Sequence, residues 1–298
     1  MKNKNLWIIA TVVIALMTLF AYGGGGGGDD SKESSCTRDT TTINPGPTKL
    51  NINILLDLSD RIVKPDSNQV ARDTAIVGHL ADWFTAQCKS WECGDDAGLQ
   101  YAPHAIKVLF YPAPQDTSVA ALAAALVIDG NKLKTGTKEK KEAIIHARDS
   151  FNKNLGKIYD LAKQQGQFHG SDIWAFFANG DVDIQCVREG YRNLLVIITD
   201  GYLYEHNHRI LNGNESNYIT DPVLSNPNSK LITDRTDTIK GDLEVLVLEV
   251  NPHNPQQLPR MKSLITQWLT DMGVKKAEVW QTQLPVNTQT VIDEFLKQ

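Results

Sequence analysis

Two carboxylates and two hydroxyls in this 298-residue chain stand where they could hold a hard cation. Asp57 opens the string Asp57-Leu58-Ser59-Asp60-Arg61, directly behind a short apolar run. Asp200 lies in Thr199-Asp200-Gly201, behind the uniformly apolar Leu194 to Ile198, and Ser171 lies in Gly170-Ser171-Asp172-Ile173 ahead of a short helical segment. Oxygen donors of this kind suit Mg²⁺ or Mn²⁺ and not zinc. The plainer alternative makes Asp57 and Asp200 structural caps of their own turns.

For these residues to meet, the elements before them must end on one edge. Ile52 to Leu56, Ile106 to Tyr111, Leu194 to Ile198, Leu243 to Val250 and Ala277 to Trp280 read as strands. Helical spacing runs from Val70 to Cys88, over Lys138 to Gln164 as one long helix, over Ser171 to Ala178, from Met261 to Met272 and from Thr288 to Leu296. Val119 to Val127 fits either a helix or an edge strand. Uniformly apolar strands separated by helices predict a doubly wound α/β domain, its mostly parallel sheet covered on both faces. In such a sheet, ligands bind at the carboxyl ends of the strands, where Asp57 and Asp200 fall.

The chain is not uniform along its length. Residues 1–22 carry Lys2 and Lys4 and then the apolar run Leu6 to Tyr22, residues 23–48 form a Gly- and Ser-rich tether, and residues 49–298 form the α/β domain. An apolar run of this length is shorter than the ~20 residues of a usual spanning helix and longer than the core of a usual signal peptide, so cleaved signal and retained anchor both stay open. Leu19-Phe20-Ala21-Tyr22-Gly23 is lipoprotein-like, but Tyr22 occupies the place of the lipidated Cys. Basic residues ahead of the run keep that end inside and send the rest out, which places the domain in the cell envelope, membrane-anchored, periplasmic or secreted. Membrane contact is expected through this N-terminal segment alone.

Charge narrows the partners. The whole chain carries −5, and without residues 1–23 it keeps 28 basic against 35 acidic side chains, a net −7. A surface of that sign does not suit nucleic acid. Of the four cysteines, Cys88 and Cys93 lie close enough in sequence to close a small disulfide in an oxidising compartment, with free thiols as the alternative.

From residue 49 onward, element order and motifs resemble the von Willebrand factor A domains. That family's metal-ion-dependent adhesion site has Asp-x-Ser-x-Ser after the first strand, a Thr before a later helix and an Asp in a Thr-Asp-Gly turn. Asp57, Ser59, Ser171 and Asp200 match these positions, with Ser171 standing at the Thr. The resemblance implies that Ser59 and Ser171 touch a Mg²⁺ or Mn²⁺ ion directly, while Asp57 and Asp200 hold coordinating waters. It also implies a protein-binding (adhesion or assembly) module, not an enzyme, whose partner is another protein offering Asp or Glu. An ion with few direct anionic ligands stays electrophilic enough to grip such a group. The departure is Arg61, which stands at the second Ser and cannot ligate a metal. Its guanidinium could replace the ion in a metal-free scaffold, or receive the partner's carboxylate itself.

Thr135 and Thr137 are rivals for the Thr position. His206 and His208 in Glu205-His206-Asn207-His208 have the look of a metal cluster, although at a spacing of two in a polar loop such side chains are more often solvated. Residues 202–242 form a polar segment too long for an idle loop and lie beside the Asp200 turn. An enzyme alternative is a haloacid-dehalogenase-like phosphate-ester hydrolase, with Asp57 as nucleophile. Its acid–base Asp would fall at Ser59, so the proton-transfer group is missing.

Overall fold

The computed structural model describes residues 48–58, 68–92, 94–165, 171–205, 207–233 and 239–297. Chain contacts divide the molecule into residues 1–39 and residues 40–298, and all described residues belong to the second unit. The signal, anchor and tether readings of residues 1–47, together with Ser59, Arg61, Cys93 and His206, lie outside the described residues.

In chain order the elements are β1 (Lys49–Leu56), α1 (Gln69–Lys89), α2 (Asp95–Tyr101), β2 (Ala105–Leu109), α3 (Thr117–Ala124), β3 (Val127–Asp129), α4 (Lys138–Ile145), α5 (Ala147–Gln165), α6 (Ile173–Ala178), α7 (Asp181–Cys186) and β4 (Tyr191–Ile198). The short β5 (Leu211–Asn212), β6 (Glu215–Ser216), α8 (Asp221–Ser225) and β7 (Lys230–Leu231) follow, and β8 (Leu243–Val250), α9 (Leu258–Asp271), β9 (Lys276–Gln281) and α10 (Pro285–Lys297) complete the fold. Six strands form one sheet in the order β3-β2-β1-β4-β8-β9. All its neighbours are parallel except β3, an antiparallel edge beside β2.

The doubly wound α/β class expected from the apolar strands is therefore what the chain adopts. Strand residues alternate between two cores, as the two-residue period of a pleated strand requires. Ile52, Ile54, Leu194, Val196 and Leu246 pack with α1, α5 and α10 on one face. Leu195, Ile197, Val245 and Val247 pack with α6, α7 and α9 on the other.

Three details differ from the sequence reading. The ambiguous Val119–Val127 stretch is both things: α3 covers its first part, capped by the Asp116 carboxylate, and β3 begins at Val127. The long helix over 138–164 is two helices, α4 and α5, which break at His146. β1 is not wholly apolar on its second face, because Asn51 and Asn53 are buried there. Both amides donate to the carbonyl of Cys186 at the end of α7, where helix carbonyls lack intrahelical partners.

Candidate functional site

Parallel pairing of β1 with β4 sets Leu56 beside Ile198, so the residues that follow, Asp57 and Thr199, leave the sheet together. The Asp57 amide continues the ladder by donating to the Ile198 carbonyl at 3.0 Å. The Thr199 hydroxyl then donates to Asp57 Oδ2 at 2.7 Å and accepts from the Gly201 amide at 3.1 Å. Asp57 is 2% exposed and Thr199 fully buried, so this bond is shielded from competing water. Asp200, half-buried, turns its Oδ1 back to accept from the Tyr202 amide at 2.9 Å.

Gly201 makes this turn possible. Its φ is +92°, and a Cβ there would sit 2.6 Å from the Met261 sulfur and 3.1 Å from Val250 Cγ1. Any side chain would push the Asp200 turn off α9 and the end of β8.

Ser171 comes to the same edge by another route. Leu55 pairs with Leu109, the last residue of β2, and Tyr111 follows two residues beyond that strand's carboxyl end. The Asp172 amide donates to the Tyr111 carbonyl at 3.0 Å, which fastens the Ser171-Asp172 pair to the end of β2. Asp172 Oδ1 caps α6 by accepting from Ala175. Ser171 itself is 5% exposed, and its hydroxyl has no hydrogen-bond partner among the described residues. Thr137, by contrast, caps α4 through the Lys140 amide. It follows the antiparallel β3, whose end points to the opposite edge of the sheet, so Ser171 is the hydroxyl that this topology brings toward Asp57 and Asp200.

Residues 202–242 are not an open loop. They hold the small sheet β5-β6-β7 and the helix α8. Two His–Asp contacts tie them down on either side of the Asp200 turn. His208 Nδ1 lies 3.1 Å from Asp172 Oδ2, with its ring edge-on to Trp174. His253, just past β8, stacks on Tyr202 with ring centroids 4.5 Å apart, and its Nδ1 lies 3.3 Å from Asp221 Oδ2. Tyr202 also donates to Asp221 Oδ1 at 2.6 Å. Partial burial and this acidic neighbour push the Tyr202 phenol up to about 12, and the bond from Tyr202 holds the Asp221 carboxyl below its usual range. His208 is thus committed to Asp172, and among the described residues no three His, Cys, Asp or Glu side chains converge as a metal cluster.

Sequence reasoning passed over a buried ionic network on the far side of the same edge. Glu249, the last residue but one of β8, has φ +70° and a side chain only 1% exposed, and it meets Arg72 of α1 at 3.0 Å. Arg72 also donates to Gln69, Gln69 donates to Asp73, and the Tyr159 hydroxyl donates to Asp73 at 2.6 Å. A carboxylate inside the apolar run Leu243–Val250 was the available signal, since a buried Glu demands a cation. Away from this edge, Cys88 is a buried free thiol in α1 that burial pushes up to about 12. Its suggested mate Cys93 is outside the described residues.

No protein-family profile matches the chain, and no curated protein matches it either. Among solved structures, the pilus adhesin SpaC from Lactobacillus rhamnosus GG is similar in two crystal structures, one of them in an open conformation. Their TM-scores are both 0.40, at 11% and 10% identity. Each comparison covers 84% of this chain and 30% of the adhesin, so the present chain matches about a third of that protein's length. Among the described residues, no helix is long and apolar enough to cross a membrane.

Proposed function

We propose that this chain is an extracytoplasmic protein-binding module of the von Willebrand factor A type, which holds a partner's Asp or Glu through a Mg²⁺ or Mn²⁺ ion. The observation that carries the reading is the Ser171 hydroxyl, buried and without a partner among the described residues, at the edge to which Asp57 and Asp200 are fastened. An orphaned buried hydroxyl costs stability, and a function that uses its lone pairs accounts for its retention.

The residues fit such an ion. Ser171, together with Ser59 as its counterpart in the first motif, would supply neutral oxygen, and Asp57 and Asp200 would supply the negative charge. Thr199 fixes one Asp57 oxygen, and the Tyr202 amide fixes one Asp200 oxygen, so both carboxylates are oriented before any ligand arrives. When bound, the ion would supply a Lewis-acidic docking point for a partner carboxylate. Export follows from the basic and apolar start of the chain.

Calorimetric titration of the full chain with Mg²⁺ and Mn²⁺ tests the proposal. Saturable heat that disappears in Asp57→Ala is the expected result. Absence of heat at millimolar concentrations of both ions would overturn the metal reading.

A further inference from the structure

The excursion after the Asp200 turn carries a cationic and apolar surface that faces solvent. Arg209, Ile210 and Leu211 are consecutive and exposed, Ile210 at 40% and Leu211 at 63%. They follow His208, whose Nδ1 meets Asp172 Oδ2 at 3.1 Å, and Asp172 is the residue after Ser171. One peptide step of about 3.8 Å therefore separates Arg209 from the residue that touches the Ser171-Asp172 pair. The backbone here is fixed. The Ile210 amide donates to Asn217 Oδ1 at 2.7 Å, the Asn217 amide donates back to the Ile210 carbonyl, and Asn217 Nδ2 donates to the His208 carbonyl. Asn217 is 3% exposed, so one buried side chain holds both neighbours of Arg209.

Arg209 itself is held without being neutralised. Its guanidinium lies over the Tyr204 ring at 5.5 Å, and Tyr204 stands edge-on to Tyr218 with centroids 6.2 Å apart. A guanidinium stacked on an aromatic face keeps its N–H edge open to an acceptor. Arg72, Arg148, Arg188 and Arg192 each meet a carboxylate. Among the described residues none pairs with Arg209, and the Glu205 carboxylate, four residues earlier, is turned to Asn207.

We propose that this surface is a second foothold for the acidic polypeptide that docks at the ion site: Arg209 takes a second carboxylate as a bidentate pair, and Ile210 and Leu211 take an apolar side chain of the same segment. The proposal rests on the ion reading for the first carboxylate and on this surface alone for the second. Charge and residue type choose the occupant. With 28 basic against 35 acidic side chains after residue 23, the domain repels an acidic partner at a distance, so a docking surface for one gains from a local cation beside the site. Tyr and Arg are also the side chains that most often dominate protein interfaces. A nucleic acid would meet the same guanidinium, but it gains nothing from Ile210 and Leu211 and is opposed by the net charge.

The test pans the full chain against a phage-displayed library of random linear heptapeptides, in Mg²⁺ and again in EDTA. In Mg²⁺, enriched peptides are expected to carry two acidic residues at a fixed spacing and an apolar residue beside one of them. Made synthetically, they should bind at least tenfold more weakly to Arg209→Gln and to Leu211→Asp, two exposed positions. Thermal melting identifies whichever variant keeps the fold, and that one is read. In EDTA the consensus should shrink to one acidic and one apolar residue, still dependent on Arg209. Arg209-dependent binding that is equal with and without Mg²⁺ would sink the ion reading and leave this surface standing. Peptides that need Mg²⁺ but ignore the folded Arg209 and Leu211 variants would overturn the surface and leave the ion. No enrichment in either condition would overturn the surface as well.

Discussion

The Thr199 hydroxyl and the Asp57 carboxylate, 142 residues apart in sequence, meet at 2.7 Å where β1 and β4 leave the sheet. The same hydroxyl accepts from the Gly201 amide, so one buried oxygen orients both the first motif and the Asp200 turn. Hydrogen bonds to a charged group contribute more than neutral ones, about 1.5–3 kcal/mol.

Thr199→Val keeps the side-chain shape and removes both bonds. It should lower unfolding free energy by about 1–3 kcal/mol, because the buried Gly201 amide loses its acceptor and Asp57 loses a donor. Urea denaturation gives the stability, and the same protein titrated with Mg²⁺ should bind several-fold more weakly. Stability at the wild-type value would show that water replaces the hydroxyl without cost.

Ser171→Ala should behave in the opposite way. The wild-type hydroxyl is buried without a partner among the described residues, so its removal should leave stability unchanged or raise it by up to about 1 kcal/mol. Mg²⁺ affinity should fall at least tenfold. A variant that loses stability and keeps its metal response would place Ser171 among structural residues.

Arg61→Ser restores the hydroxyl that the adhesion-site pattern has at this position, and it removes one positive charge from the first motif. Mg²⁺ affinity measured by calorimetry should rise at least severalfold, since a fixed cation in that motif opposes a second one. Unchanged or weaker binding would mean that Arg61 does not act on the ion.

The large features were legible because apolar runs of strand length are specific when they recur between helices. Leu194–Ile198 and Leu243–Val250 announced β4 and β8, and with them the edge where Asp200 turns. Between Ser171 and its rivals Thr135 and Thr137 the antiparallel β3 decides, because it points residues 135–137 to the other edge. The partners of these residues were not legible. Nothing local in Asp172 and His208, or in Tyr202 and His253, says that they touch, because each contact depends on how the 202–242 excursion folds back. The break at His146 was hidden for a related reason. Periodicity runs on across it, and the two helices differ in what they pack against, α4 chiefly against α2 and α5 against α1 and α3. Asn51 and Asn53 look like flaws in an apolar strand until the open carbonyls at the end of α7 are seen above them.

His104 offers a test of the fold itself through pH. It is 2% exposed, its Nδ1 accepts from the Leu50 amide at 3.0 Å, and its ring lies edge-on to Trp91. Burial lowers its pKa from 6.5 to about 4; a bond to the Gln87 carbonyl opposes the fall, and the Lys140 charge adds to it. The unfolded chain therefore binds a proton below pH 6.5 that the native protein refuses until about pH 4. Stability from the neutral imidazole is complete above 6.5 and is lost as pH falls through that window, by roughly 3 kcal/mol at its lower end. His104→Gln retains an amide that can accept from Leu50 and has no proton to gain. Urea unfolding at pH 7 and pH 4 should show the wild type losing about 2–3 kcal/mol more than the variant, whatever the variant's absolute stability. Equal losses would mean that His104 takes up its proton inside the folded protein, which its contact with the Leu50 amide argues against, because Nδ1 must be unprotonated to accept.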